Sequence, residues 1–252
     1  MISSMFRPII FLLSIILAGC ISIPAGEDVA MSWEKAIVYI PGKSTTASTA
    51  TVEVSKPLPV VIYLHGCTGI TSHNDIPWAR IIKDLGYVVV QPDSLARRDR
   101  GDSCSGASRQ HFNPGVHRLR IQEAEYALKK LQSTKWADPN NIFLMGHSEG
   151  AIAAARAQIT GFRGVIISSW LCTDTYPSFN GLFTPRNTPV LTMGWDHDPW
   201  YYGTRWNGSC ADKFDGRTNA ENITFSGVEH STAQMPAARD AVEKFLRRNL
   251  QK

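Results

Sequence analysis

Several residues in this chain have the types and spacing needed for acyl-transfer chemistry. The segment Asn140 to Gly150 reads as an apolar strand, Ile142-Phe143-Leu144-Met145, followed by Gly146-His147-Ser148-Glu149-Gly150 and an alanine-rich helix from Ala151. A serine on so tight a strand-to-helix turn is lifted clear of the sheet, and its neighbours must be small because the backbone folds back on itself. The N–H groups at the start of the following helix favour negative charge beside it. Gly-x-Ser-x-Gly is common by chance; the strand before it and the helix after it make Ser148 a candidate nucleophile.

A serine hydroxyl reacts poorly near neutral pH unless a base takes its proton and an acid orients that base. His230, in Val228-Glu229-His230-Ser231, is the only histidine downstream of His197 and follows the last expected strand. It is the candidate base. The acid is expected in Gly194-Trp195-Asp196-His197-Asp198-Pro199-Trp200. Asp198 is preferred, because Pro199 restricts its conformation and it stands further out along the loop. Asp196 remains the alternative acid, or a residue that caps the turn. Backbone donors for a developing oxyanion are expected from Glu149, directly after the serine, and from Cys67 in His65-Gly66-Cys67-Thr68-Gly69. His65, upstream of the serine, is expected to hold its own loop by hydrogen bonds.

The elements that must position these groups follow from periodicity. Pro59–Leu64 and Tyr87–Val90 are continuous apolar runs, as in strands buried on both faces of a parallel sheet. Gly164–Ser168, Pro189–Met193 and Asn222–Phe225 read as further strands. Helices are expected over Asp75–Leu85, Gly115–Ser133 and Ala237–Leu250, with Ile121, Ala124, Leu128 and Leu131 on one stripe of the second. Trp33–Ile40 reads as an edge strand paired with Ala50–Ser55. Strands alternating with helices give an α/β class with a doubly wound, mostly parallel sheet and helices on both faces. In such sheets the site lies at the carboxyl ends of the strands.

Bulk properties narrow the class. The chain has 252 residues, a hydrophobic fraction of 43% and a net charge of +4, which fits one globular domain. The cluster Arg97-Arg98-Asp99-Arg100 has acid interleaved and no nucleic-acid motif beside it; it reads as a solvated loop, with no nucleic-acid partner implied. Arg7 followed by the apolar run Ile9–Leu17 is too short to span a bilayer and fits a signal peptide. Its ending, Leu17-Ala18-Gly19-Cys20, resembles the lipobox of bacterial lipoproteins. That implies a leader over 1–19, lipidation of Cys20, a tether over 20–32, a hydrolase domain over 33–252, and export with a lipid anchor in a bacterial membrane facing the periplasm or the cell surface. Cys67, Cys104, Cys172 and Cys210 remain, an even number in an exported chain, with three pairings open to them. No metal-ligand spacing is present, and neither a metal nor another cofactor is implied.

Taken together, Leu64–Gly69, Gln91-Pro92-Asp93-Ser94, Gly146–Gly150, Gly194–Trp200 and Glu229-His230 resemble the α/β-hydrolase superfamily, and its dienelactone hydrolase-like branch most closely. The resemblance spans about residues 33–250, and the order serine, acid, histidine is that superfamily's. Dienelactone hydrolases proper are built around a cysteine nucleophile, whereas position 148 is serine. The resemblance therefore implies a serine esterase acting on a small carboxylic ester. Rival readings are an oligopeptidase-like serine peptidase and a binding lipoprotein of this fold without turnover. In this layout the loops of Cys67 and Cys104 become neighbours, as do those of Cys172 and Cys210, which implies Cys67–Cys104 and Cys172–Cys210 disulfides. Trp195, Trp200, Tyr201, Tyr202 and Trp206 either pack a long loop or wall the substrate pocket, with Trp195, Trp200 and Tyr201 the candidates for the pocket. The loops 93–113 and 171–188 are too short to form a full cap.

Overall fold

A computed structural model of the chain describes residues 27–101, 103–104, 114–177, 179–204 and 208–252. The expected leader, Cys20 and the first part of the tether lie outside the described residues, as does Trp206. No helix among the described residues is long and apolar enough to cross a membrane.

The elements run α1 (Glu27–Glu34), β1 (Ile37–Tyr39), β2 (Thr46–Ala47), β3 (Leu58–Leu64), α2 (Asp75–Asp84), β4 (Val88–Gln91), α3 (Pro114–Gln132), β5 (Ala137–His147), α4 (Glu149–Arg156), β6 (Val165–Ser168), β7 (Val190–Trp195), β8 (Ala220–Phe225) and α5 (Pro236–Asn249). Two 3-10 turns, Ser94–Ala96 and Cys210–Lys213, punctuate the loops. The strands form one sheet in the order β2-β1-β4-β3-β5-β6-β7-β8. Pairing is parallel from β4 through β8, and β1 is antiparallel to both β2 and β4.

The apolar runs are continuous because each face of the sheet is covered. Val60, Ile62 and Leu64 of β3 pack with Ala124, Leu128 and Leu131 of α3 and with the alanines of α4. Val61 and Tyr63, which alternate with them, pack with Trp78 and Ile82 of α2 and with Val242, Phe245 and Leu246 of α5. Strand residues of alternating side chain direction thus feed two cores, one on each face.

Two local expectations are corrected. Residues 27–34 are helical, so the segment expected to end as a tether and begin an edge strand is α1, with Ser32 buried and Trp33 partly buried against the core. Val29, Trp33 and Ala36 recur at helical spacing, a period that the alternation after Ala36 obscured. The partner of β1 is Thr46–Ala47, not Ala50–Ser55, with Val38 opposite Ala47; Val52 and Val54 pack on the core without joining the ladder. Asp138-Pro139-Asn140 lies in the first part of β5, at a shift of register between the pairs Leu58–Ala137 and Val60–Ile142. Pro139 has no N–H for the ladder, and Asp138 Oδ1 accepts instead from Asn140 N at 3.0 Å.

Candidate active site

Ser148 stands between β5 and α4 with φ 54° and ψ −116°, a backbone conformation that L-residues rarely adopt. The elbow is held from both sides: Ser148 N donates to Ser168 O on β6 at 2.9 Å, and Ala151 N and Ile152 N donate to Ser148 O. Glycine is required at either end. A Cβ on Gly146 would lie 2.1 Å from Gly150 O, and one on Gly150 would lie 2.2 Å from Leu64 O. α4 therefore starts in direct contact with the end of β3, and its first N–H groups reach the space beside Ser148.

His230 lies on the loop after β8. Its Nδ1 is 2.7 Å from Asp198 Oδ2. Asp198 is buried, and its other carboxylate oxygen accepts from Trp200 N at 2.9 Å. Its carbonyl accepts from Tyr201 N and Tyr202 N, closing a tight turn after β7. Asp196 faces elsewhere: its Oδ1 takes the Gly227 N–H at 2.9 Å and His197 Nδ1 at 2.8 Å. The Gly227 N–H, seconded by His197, pulls this exposed carboxyl down to a pKa of about 2. The two aspartates are thus divided, Asp198 bonding His230 and Asp196 tying the β7 loop to the β8 loop.

The histidine loop is pinned residue by residue. Ser169 Oγ donates to His230 O at 2.5 Å. Trp195 Nε1 donates to Ser231 O at 3.0 Å, and Ser231 Oγ donates to Asn74 Oδ1 at 2.8 Å. Trp78 Nε1 donates to Thr232 Oγ1 at 3.1 Å, which also shares a hydrogen with Ser168 Oγ at 2.7 Å. The imidazole is flanked by His147 and Trp200, with ring centroids at 4.9 and 5.6 Å. Burial, with His230 adding to it, holds His147 well below the usual histidine range, so it stays neutral. Trp195 and Tyr201 also line a cavity of about 230 Å³ bounded by Trp170, Tyr202 and Asn222, on the acid-loop side.

The loop His65–Gly69 lies against the elbow: a Cβ on Gly66 would sit 3.6 Å from Ser148 Cβ. Among the described residues the Cys67 N–H and the Glu149 N–H donate to no carbonyl. His65 is fully buried and fixes its own loop. Ser94 N donates to its Nε2 at 3.1 Å, so Nδ1 carries the proton and donates to Gly66 O at 2.6 Å. Burial, then the charge of Arg120, keeps this ring neutral. Arg120 Nη2 donates to His65 O at 2.7 Å.

Behind the loop lies a buried ionic network with no motif to announce it. Glu149 is salt-bridged to Arg100 at 2.8 Å and lies 3.8 Å from Arg120 Nε; Glu123 bonds Arg120 at 3.0 Å and Arg97 at 3.5 Å. Desolvation pushes the Glu149 carboxyl up, but Arg120, Arg100 and Ser103 outweigh it and hold the group ionised below its usual range. This corrects the solvated-loop reading of Arg97–Arg100. The side chains of Arg97 and Arg100 are 2% and 4% exposed, whereas Arg98, at 58%, and Asp99, at 35%, are solvated. Arg97 pairs locally with Asp99 at 2.7 Å, but the buried carboxylates Glu123 and Glu149 are distant in sequence, so the local pattern of charges did not record the burial.

Two disulfides close the loops, Cys67–Cys104 with Cα atoms 5.7 Å apart and Cys172–Cys210 at 4.7 Å, within the usual bridging distances. Among the described residues no group of three or more histidine, cysteine or carboxylate side chains is placed to hold a metal ion.

No protein-family profile matches the chain, and no curated protein does. Solved structures are similar. Est1E from Butyrivibrio proteoclasticus, with ferulic acid bound, aligns at a TM-score of 0.57 and 14% identity over 86% of this chain and 95% of that one. A putative dienelactone hydrolase from Klebsiella pneumoniae subsp. pneumoniae MGH 78578 aligns at 0.58 and 13%, over 86% and 99%. An alpha-beta serine hydrolase homologue from Coxiella burnetii aligns at 0.52 and 18%, over 86% and 91%. At such identities the likeness speaks for the fold, and the fold is that of the α/β-hydrolases.

Proposed function

We propose that the protein is a serine hydrolase that cleaves small carboxylic esters through an acyl-enzyme on Ser148. The observation that carries this reading is the 2.7 Å bond between His230 Nδ1 and the buried Asp198 carboxylate, with the His230 ring 4.9 Å from that of His147, the residue before a serine in strained backbone geometry. A carboxylate at Nδ1 fixes the tautomer that leaves Nε2 free to act as base. Ser148 Oγ attacks the acyl carbonyl carbon while His230 Nε2 takes its proton. The oxyanion so formed is held by the N–H groups of Cys67 and Glu149. Collapse breaks the ester C–O bond, and the leaving alcohol takes the proton from His230. Water then repeats the sequence on the acyl-enzyme and releases the acid.

Neighbouring folds named as a glucuronoyl esterase and a dienelactone hydrolase support an ester over an amide. The lipobox-like Leu17-Ala18-Gly19-Cys20 and the two disulfides support export with a lipid on Cys20. Incorporation of labelled palmitate into the wild type and its loss in Cys20→Ala tests the anchor.

A fluorophosphonate probe tests the chemistry. The wild type is expected to be labelled and to hydrolyse 4-nitrophenyl acyl esters, and Ser148→Ala to do neither. A wild type that takes no label and turns over no ester would favour the binding-protein reading. Faster cleavage of peptide amides than of matched esters would favour the peptidase.

A further inference from the structure

The two oxyanion donors stand on different elements, Cys67 on the loop after β3 and Glu149 at the start of α4. Transition-state stabilisation requires both N–H groups to be held within about 0.5 Å of their working positions. The elbow fixes Glu149 relative to Ser148, but the Cys67 loop needs a separate tie. One short stretch touches both. Cys104 is joined covalently to Cys67. Arg100 Nη2 donates to Glu149 Oε1 at 2.8 Å and to Ser103 Oγ at 3.3 Å, and Ser103 Oγ donates to Glu149 Oε2. Arg100 Nη1 donates to Ser94 Oγ at 2.7 Å, which in turn bonds Glu123 at 2.7 Å.

We propose that Arg100, Ser103 and Cys104 form a single bracket that sets the Cys67 donor against the Glu149 donor, with Arg100 as a positioning residue for the oxyanion hole. This rests on the ester-hydrolase reading. The side chains of Arg100 and Glu149 are almost wholly buried, so the bond between them is little screened by solvent. The carboxylate of Glu149 would oppose an oxyanion forming nearby, and its ion pair with Arg100 neutralises it. The two links act in series, from Cys67 through the disulfide to Cys104 and Ser103, and from there with Arg100 to Glu149. Cutting either link frees the same donor pair. Arg120 spans the two ends independently, with His65 O at 2.7 Å and Glu149 at 3.8 Å, so some restraint survives.

The series arrangement makes a distinctive prediction. Arg100→Met and Cys104→Ser are each expected to lower kcat by about tenfold, less than the 10²–10³-fold cost of deleting one oxyanion donor outright, with KM for 4-nitrophenyl butyrate within about threefold. A trifluoromethyl ketone, whose adduct with the serine places an oxyanion in the hole, should lose affinity by the same factor as kcat. Arg100→Lys should recover part of the loss. The double variant should resemble either single variant, because the second cut removes nothing further. Losses that multiply to about a hundredfold, or kcat and inhibitor affinity unchanged while only the melting temperature falls, would overturn the bracket. Where either variant fails to fold, Ser103→Ala replaces it. A parallel fall in kcat and inhibitor affinity there supports the bracket, and wild-type values overturn it. Fluorophosphonate labelling keeps the two readings apart. A wild type that is neither labelled nor active defeats the ester-hydrolase reading and the bracket with it. Labelled, active variants with undiminished kcat defeat the bracket alone.

Discussion

Asp196 and Asp198 are two residues apart, yet one is exposed and the other buried against His230. Pro199 and the N–H groups of Trp200, Tyr201 and Tyr202 wrap the backbone around Asp198 and turn its carboxylate inward. Asp198→Asn should therefore lower kcat/KM by about 10³-fold or more, because an amide at Nδ1 no longer enforces the working tautomer. Asp196→Asn should change it by less than about threefold. Ester hydrolysis by the two variants, measured side by side, decides between the aspartates; equal losses would show that His230 draws on both. The sequence narrowed the candidate acid to this pair, and conformation at Pro199 left a preference. The decision itself depends on where the β8 loop brings His230, and local sequence does not record that.

At the scale of elements, the site depends on how closely α4 meets β3 and on how the loop after β8 is anchored. Gly150→Ala would push a methyl group to 2.2 Å from Leu64 O, and backbone cannot step aside as a side chain tip can. The expected cost is about 3 kcal/mol, read from urea unfolding midpoints, together with loss of fluorophosphonate labelling. Thr232→Val removes the acceptor for the buried Trp78 Nε1 and the partner of Ser168 Oγ. Leaving that indole N–H unpaired should cost about 1–3 kcal/mol. The same variant should reduce kcat, since Thr232 lies two residues from His230. A stable, fully active Thr232→Val would mean that the loop is held by its other bonds alone. The glycines of the elbow were legible in the sequence because the motif encodes their close approach. The anchors Trp78, Asn74, Ser168 and Thr232 were not, since each is an ordinary residue for its own element.

For the molecule as a whole, buried neutral histidines set an acid limit. Burial, with Glu149 opposing it and Arg120 adding to it, lowers His117 to about 4; desolvation also holds His65 and His147 well below the usual histidine range. Between pH 6.5 and 4 the unfolded chain binds protons that the folded protein refuses, so stability is full above about 6.5 and falls as the pH drops through this window. His117 alone accounts for up to about 3 kcal/mol at 1.36 kcal/mol per pKa unit. Urea midpoints should fall steadily from pH 7 to pH 4, and His117→Phe, against the Phe179 ring 4.4 Å away, should flatten the slope. An unaltered slope in that variant would place the acid sensitivity at the other two histidines.

The sequence alone determined whatever is encoded at short range. Buried strands announced themselves as continuous apolar runs, α3 and α5 by their spacing, and the elbow by Gly146 and Gly150. Those signals were enough to make Ser148 the candidate nucleophile and His230 its candidate base, and to reduce the candidate acid to two aspartates. Tertiary structure decided what depends on contacts between distant segments. It made a helix of residues 27–34, gave β1 the partner Thr46–Ala47, and turned Asp198 toward His230. It also buried Arg97, Arg100 and Arg120 among Glu123 and Glu149. A buried ion pair and an exposed one are written with the same letters. Only the packing that excludes water from around Arg100 and Glu149 sets them apart.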